Sequence, residues 1–173
     1  MSAVPLIALA DQLASFIRSL PVGAYTAPTA TNVGAIGGHV RHTIDHFLAW
    51  EQGFDGGVID YDARERGTVI ETDPDAAATA LEQFAARLRT VAVSDLASPV
   101  QVRTALSASG ELVGVPSTLA RELAFVFSHA VHHNAILCAI ANVESIPLPE
   151  GFGVAPSTQA YRAATGTPAE SGS

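Results

Sequence analysis

A chain of 173 residues, 48% hydrophobic and 15% charged, can bury one sizeable core and is excluded from the wholly disordered class. Its formal net charge of −8 leaves no basic footprint for nonspecific nucleic-acid binding, and its single cysteine, Cys138, excludes an internal disulfide. No run approaches the roughly 18 uninterrupted apolar residues of a membrane span, so no membrane partner is expected.

The first predicted helix runs from Val4 to Leu20, with Leu6, Leu9, Leu13, Phe16, Ile17 and Leu20 at helical spacing, and Pro21 and Gly23 stop it. Asp11 and Arg18 fall inside this segment and no basic stretch precedes it. It therefore reads as a helix rather than an export signal, and a cytoplasmic location is expected. A Pro/Thr-rich connection, Ala24 to Thr31, leads to a second helix from Val33 to Gln52 with Asn32 as N-cap. Gly34, Gly37 and Gly38 each weaken that helix by about 1 kcal/mol relative to alanine, which implies close backbone approach near its start. Gly53 to Thr72 shows no helical pattern. The third helix opens with Asp73 as N-cap, Pro74 at its first position and Asp75 in its first turn, and it runs to Val91.

Val100 to Val115 alternates as a hairpin around a Ser107-Ala108-Ser109-Gly110 turn. A fourth helix follows Pro116, capped by Ser117 or Thr118, and continues to Val143. It is apolar nearly all round, as befits the most buried helix. Pro147, Pro149, Gly151, Gly153 and Pro156 predict an extended tail. The fold class is therefore all-α: a four-helix bundle with a small β-hairpin between the third and fourth helices. One domain covers residues 1–164, and a disordered tail covers 165–173.

All six histidines lie in two windows, His39-Val-Arg-His42 with His46, and His129-Ala-Val-His132-His133. A helix turns about 100° per residue, so His39, His42 and His46 share one face of the second helix. His129 and His133, four apart, share a face of the fourth. His132 is rotated about a quarter turn from His133 and is assigned to substrate contact instead. A lone histidine in a helix is ordinarily a packing or surface residue. Two histidine-rich faces on two helices of one bundle point to a shared ion. Two imidazoles from the fourth helix and one from the second would leave coordination positions open, as in a catalytic rather than a structural site. The chain has no His-Glu-x-x-His peptidase motif, no Glu-x-x-His of the di-iron bundles and no second cysteine for a thiolate site.

The pattern Ile36-Gly37-Gly38-His39-Val40-Arg41-His42, followed by Ser128-His129-Ala130-Val131-His132-His133, resembles the DinB-like superfamily of metal-dependent bundle proteins. Asp60 to Arg66, Glu71-Thr72-Asp73, Arg121-Glu122-Leu123 and Phe152 to Thr158 resemble one subgroup of it. In that superfamily the second-helix ligand lies five residues after the glycine of an Ile-Gly signature. The resemblance therefore selects His42 beside His129 and His133, although His46 shares the face and is an alternative. The last histidine of family members is often followed by Arg-Gly, where this chain has Asn134-Ala135.

The resemblance implies a divalent metal, zinc first with nickel or iron as alternatives, a small-molecule substrate and a homodimer. It also implies a low-molecular-weight thiol as co-substrate, since family members include thiol S-transferases and a mycothiol-dependent isomerase. The absence of lysine and the heavy use of alanine suggest a high-GC genome, which favours mycothiol. A metal-stabilised thiolate would then be the nucleophile, and Cys138 would be plain core. The alternatives are a three-histidine iron enzyme activating oxygen and a metal- or ligand-binding stress protein without turnover. His39 and His46 are assigned as acid, base or substrate contacts, or as packing. Asp45 either orients a ligand imidazole or is a solvated face residue. Arg64 and Arg66 either bind a substrate carboxylate or form surface ion pairs with Asp60, Asp62 and Glu65. Tyr61 and Trp50 are expected near the pocket, with core packing the default for Trp50.

Overall fold

The computed structural model describes residues 2–31, 33–63, 67–107 and 110–166. Among them lie the helices α1 (Val4–Arg18), α2 (Ile36–Gly56), α3 (Pro74–Thr90), α4 (Leu119–Val143) and α5 (Pro156–Thr165), and the strands β1 (Val58–Asp60), β2 (Pro99–Ala105) and β3 (Leu112–Thr118). The four core helices and the β2–β3 hairpin between α3 and α4 have the expected arrangement. α1 packs chiefly on α3, and α2 chiefly on α4.

Two of the core helices, α3 and α4, begin where a side chain satisfies free amides. The Asp73 carboxylate accepts from the amides of Asp75 and Ala76 at 2.9 and 3.1 Å, which starts α3. The Thr118 hydroxyl accepts from the Arg121 amide at 3.3 Å, so β3 passes directly into α4. α2 starts at Ile36, three residues later than the periodicity indicates, because Gly34 has φ +101° and Ala35 is extended. The expected cap Asn32, the turn residues Ala108 and Ser109, Arg64 and Arg66, and the tail beyond Gly166 lie outside the described residues.

Two elements depart from expectation. Val58–Asp60 adds a third strand, parallel to β2, pairing Val58 with Gln101 and Asp60 with Arg103. Three residues are too few to display alternation. The tail, expected to be extended, forms α5 from Pro156, a residue favoured at a first helical position. No residue of α5 is buried, and the run of Pro and Gly residues ahead of it is what reads as extended. Ahead of α5 the chain folds back between α1 and α4, with Phe152 packed on Phe16 at 4.7 Å between centroids.

The core is a single cluster. Phe47 stacks on Phe84 at 4.3 Å, tying α2 to α3, and fully buried Trp50 donates its indole N–H to the Leu119 carbonyl at 3.1 Å, tying α2 to α4. α4 is long and apolar enough, by length and composition alone, to cross a membrane; here its buried side, including Leu123, Val126, Ala130 and Leu137, forms one wall of the core.

The glycines near the start of α2 serve the close approach that the sequence implies. The Gly37 amide donates to the Tyr25 carbonyl at 2.8 Å, and the Tyr25 hydroxyl donates to the Ile70 carbonyl at 2.7 Å. A Cβ on Gly37 would stand 2.8 Å from the Tyr25 ring and in hard collision with the Glu71 carbonyl oxygen. Gly37→Ala is therefore expected to destabilise the protein by about 1–3 kcal/mol through overpacking, against a helix-propensity gain of about 1 kcal/mol. Gly38, whose added Cβ meets nothing within 4 Å, provides the contrast. Gly38→Ala is expected to stabilise by up to about 1 kcal/mol, and urea unfolding of both variants reads the difference.

Candidate metal centre

The seam between α2 and α4 carries five of the six histidines as a continuous cluster. The two helices run antiparallel there: His39 of α2 faces His133, and His46 faces His129. His42 sits between, with its ring 4.9 Å from His129 and 4.7 Å from His133, while His129 and His133 are 4.6 Å apart, centroid to centroid. Candidate ligand nitrogens of His42, His129 and His133 all lie within 4.8 Å of one another. The helical spacing of the two motifs makes this triangle: four residues bring His129 and His133 to one face of α4, and the packed seam supplies the third ring.

The residues fit a divalent cation. The Nε2 atom of His129 is buried and has no hydrogen-bond partner among the described residues. A buried ring nitrogen in that state is unfavourable unless something coordinates it. Protonation would not resolve the problem, because burial first, and then the neighbouring histidines, push the pKa values of His129 and His133 down to about 3. Both rings stay neutral, with lone pairs available, which is the state in which imidazole binds a metal.

His39 defines how His133 presents itself. The Val33 carbonyl can only accept, so His39 Nε2–H donates to it at 2.9 Å. With His39 neutral, its Nδ1 accepts from His133 Nδ1–H at 3.3 Å, which leaves the Nε2 lone pair of His133 for an ion. His46, 6% exposed, donates Nδ1–H to the His42 carbonyl at 2.9 Å and stacks on His129 at 3.9 Å. The three residues whose ring nitrogens all lie within 4.8 Å of one another are His42, His129 and His133, and the His46 ring lies beside that set. His132 is exposed and meets His133 edge-on, 5.4 Å between centroids. Asp45 pairs with Arg41 one turn earlier on α2. Tyr61 stacks on His46 and turns its hydroxyl to Glu122 at 2.9 Å. Trp50 is core.

The cluster opens through His42 and His133 onto a cleft of about 480 Å³, walled by the start of α2 and by Glu71 and Thr72. The Arg41 guanidinium lies in that wall, with Nε 3.0 Å from Glu71 Oε2. Arg41, Glu71, Thr72 and Glu122 escaped the sequence assignment of site roles. The segment Glu71-Thr72-Asp73 was visible as a family-like string, but only the fold sets it beside α2.

The depressed histidines make the metal-free protein sensitive to acid. The unfolded chain takes up protons on both rings near the ordinary value of 6.5, and the folded chain resists until about pH 3. The unfolded state therefore binds more protons in that window, and stability is expected to fall as pH drops through it. Thermal melts of metal-free protein between neutral pH and pH 4 measure this, with His129→Phe expected to flatten the decline.

Comparison with known proteins places the chain in a family. The model of the DinB family matches residues 8–141, which include all four core helices in whole or in large part and all six histidines. The chain is 30% identical over 102 residues to a Rhizopus delemar protein named FK506-binding protein 5; the match covers 58% of this chain and 26% of that protein. The chain thus spans about a quarter of the length of this curated relative. No solved structure gives a significant match. By fold, by its three-histidine cluster and by a family match over most of its length, the chain belongs to the DinB family.

Proposed function

We propose that this protein is a metal-dependent enzyme acting on a small molecule, most simply a thiol S-transferase using a mycothiol-like thiol, or a related isomerase or hydrolase. The observation that carries the proposal is the placement of the three clustered imidazoles: His42 and His133 border an open cleft, and the His129 Nε2 atom is buried without a partner among the described residues. A divalent ion held by His42, His129 and His133, zinc being the expected one, would stabilise a bound thiolate or hydroxide near neutral pH.

The chain's own residues have assignable tasks. His39, whose Nδ1 lies 3.3 Å from His133 Nδ1, would hold His133 in the tautomer that leaves its Nε2 lone pair for an ion. Arg41, Glu71 and Thr72 offer a cation, an anion and a hydroxyl along the cleft wall, a lining suited to a hydrophilic co-substrate. Cys138 is not placed to be the nucleophile: its Sγ accepts from Asn142 Nδ2 at 3.7 Å, and its Cβ lies under Gly153, against the C-terminal segment. The reactive sulfur is accordingly assigned to the small thiol. The cytoplasmic location and the homodimer belong to the same proposal.

Elemental analysis of protein purified without a histidine tag tests it. About one equivalent of zinc per chain is expected in the wild type, with at least a tenfold loss in His129→Ala and His42→Ala and a parallel loss of thiol conjugation. Equal trace metal in wild type and variants would remove the site assignment. One equivalent of iron with oxygen uptake would replace thiol transfer with oxygen activation.

A further inference from the structure

We infer that Tyr61 and Glu122 are positioning residues that set the orientation of His46 and, through it, of His129. Glu122 is 0% exposed, an unfavourable place for a carboxylate unless its oxygens are paired. Oε1 accepts from the Ser117 hydroxyl at 2.5 Å and from Arg121 Nη1 at 2.8 Å, and Oε2 accepts from the Tyr61 hydroxyl at 2.9 Å. Burial, the charge of Glu122 and that hydrogen bond all raise the Tyr61 pKa, so the phenol remains a protonated donor.

With its hydroxyl anchored, the Tyr61 ring lies nearly parallel to His46, at 5.1 Å and 20°. His46 in turn lies nearly parallel to His129, at 3.9 Å and 23°. Phe125 closes the side of this stack, 5.1 Å from Tyr61 and 6.0 Å from His129. Glu122 and His129 are seven residues apart on α4, two helical turns, so one helix face bears both ends of the chain of contacts. A carboxylate that served only the β3–α4 junction would need Ser117 and Arg121 alone. The Tyr61 hydroxyl comes from 61 residues earlier in the sequence and adds nothing local to that junction. What it does fix is the outer ring of a stack whose inner ring carries the unpartnered Nε2.

The experiment separates positioning from plain stability. Protein labelled with ¹⁵N-histidine and freed of metal gives the ring nitrogen signals directly, and cobalt titration gives affinity and the visible absorption of the loaded site. Tyr61→Phe keeps the ring and removes the anchor; it is expected to shift the His46 and His129 ring signals and to weaken cobalt binding about ten- to a hundredfold. Ser117→Ala removes a hydrogen bond from the same carboxylate without touching Tyr61. It is expected to lower thermal stability while leaving ring signals, cobalt absorption and affinity as in the wild type.

Unchanged ring signals in Tyr61→Phe, or equal shifts in Ser117→Ala, would overturn the inference. If Tyr61→Phe does not fold, Glu122→Gln and Glu122→Met replace it. The first keeps an acceptor for the phenol and is expected to keep the wild-type signals; the second should shift them. Identical spectra from the two would overturn the inference equally. Only the cobalt arm rests on the proposed function: a wild-type protein that binds no cobalt would count against the metal, while the ring signals of the metal-free protein still decide the positioning.

Discussion

The seam between α2 and α4 is the constraint on which the site depends. Two antiparallel helices, held by the Trp50 indole on the Leu119 carbonyl at one end, bring His39, His42 and His46 against His133 and His129. Burial in this seam and the neighbouring imidazoles disfavour protonation of His129 and His133, and the His129 Nε2 atom has no hydrogen-bond partner among the described residues. A cation resolves both problems. The fold and the proposed chemistry therefore depend on the same packing, because anything that separates α2 from α4 disperses the rings.

Each end of the histidine row is held by groups outside it. At the His39 end, the Val33 carbonyl, in the segment just before α2, fixes one ring and through it the next. At the His46 end, contacts run through Tyr61 to a buried carboxylate. The cleft lies on the His39 side, where the bare Cα of Gly37 lets the Val69–Glu71 turn approach α2 and where Arg41 meets Glu71. The cleft and the Tyr61–Glu122 contacts thus fall at opposite ends of one row.

Much of this was legible in the sequence because it follows from helical period. The apolar spacing of the four core helices, the Asp73-Pro74 start of α3 and the four-residue spacing of His129 and His133 are local facts, and local geometry decides them. The choice of His42 over His46 was not local. Both lie on one face of α2, and only the packing against α4 brings the nitrogens of His42, His129 and His133 within 4.8 Å of one another while His46 stacks on His129. β1 was too short to carry a pattern, and α5 is a short helix beyond a Pro- and Gly-rich stretch that reads as extended. Arg121 and Glu122 read as a structural pair near a helix start, and they do pair at 2.8 Å, but the burial of Glu122 and its bond to the Tyr61 hydroxyl depend on distant parts of the chain. Arg41 and Glu71 meet only through the glycine contact at Gly37.

The account stands or falls on three imidazoles sharing one ion. X-ray absorption at the metal edge of protein loaded with one equivalent of zinc counts and identifies the ligands directly. Three imidazole nitrogens at about 2.0–2.1 Å, with any further ligand a light atom from solvent, are the predicted shell. A shell of oxygens alone, or one containing fewer than two imidazoles, would contradict it.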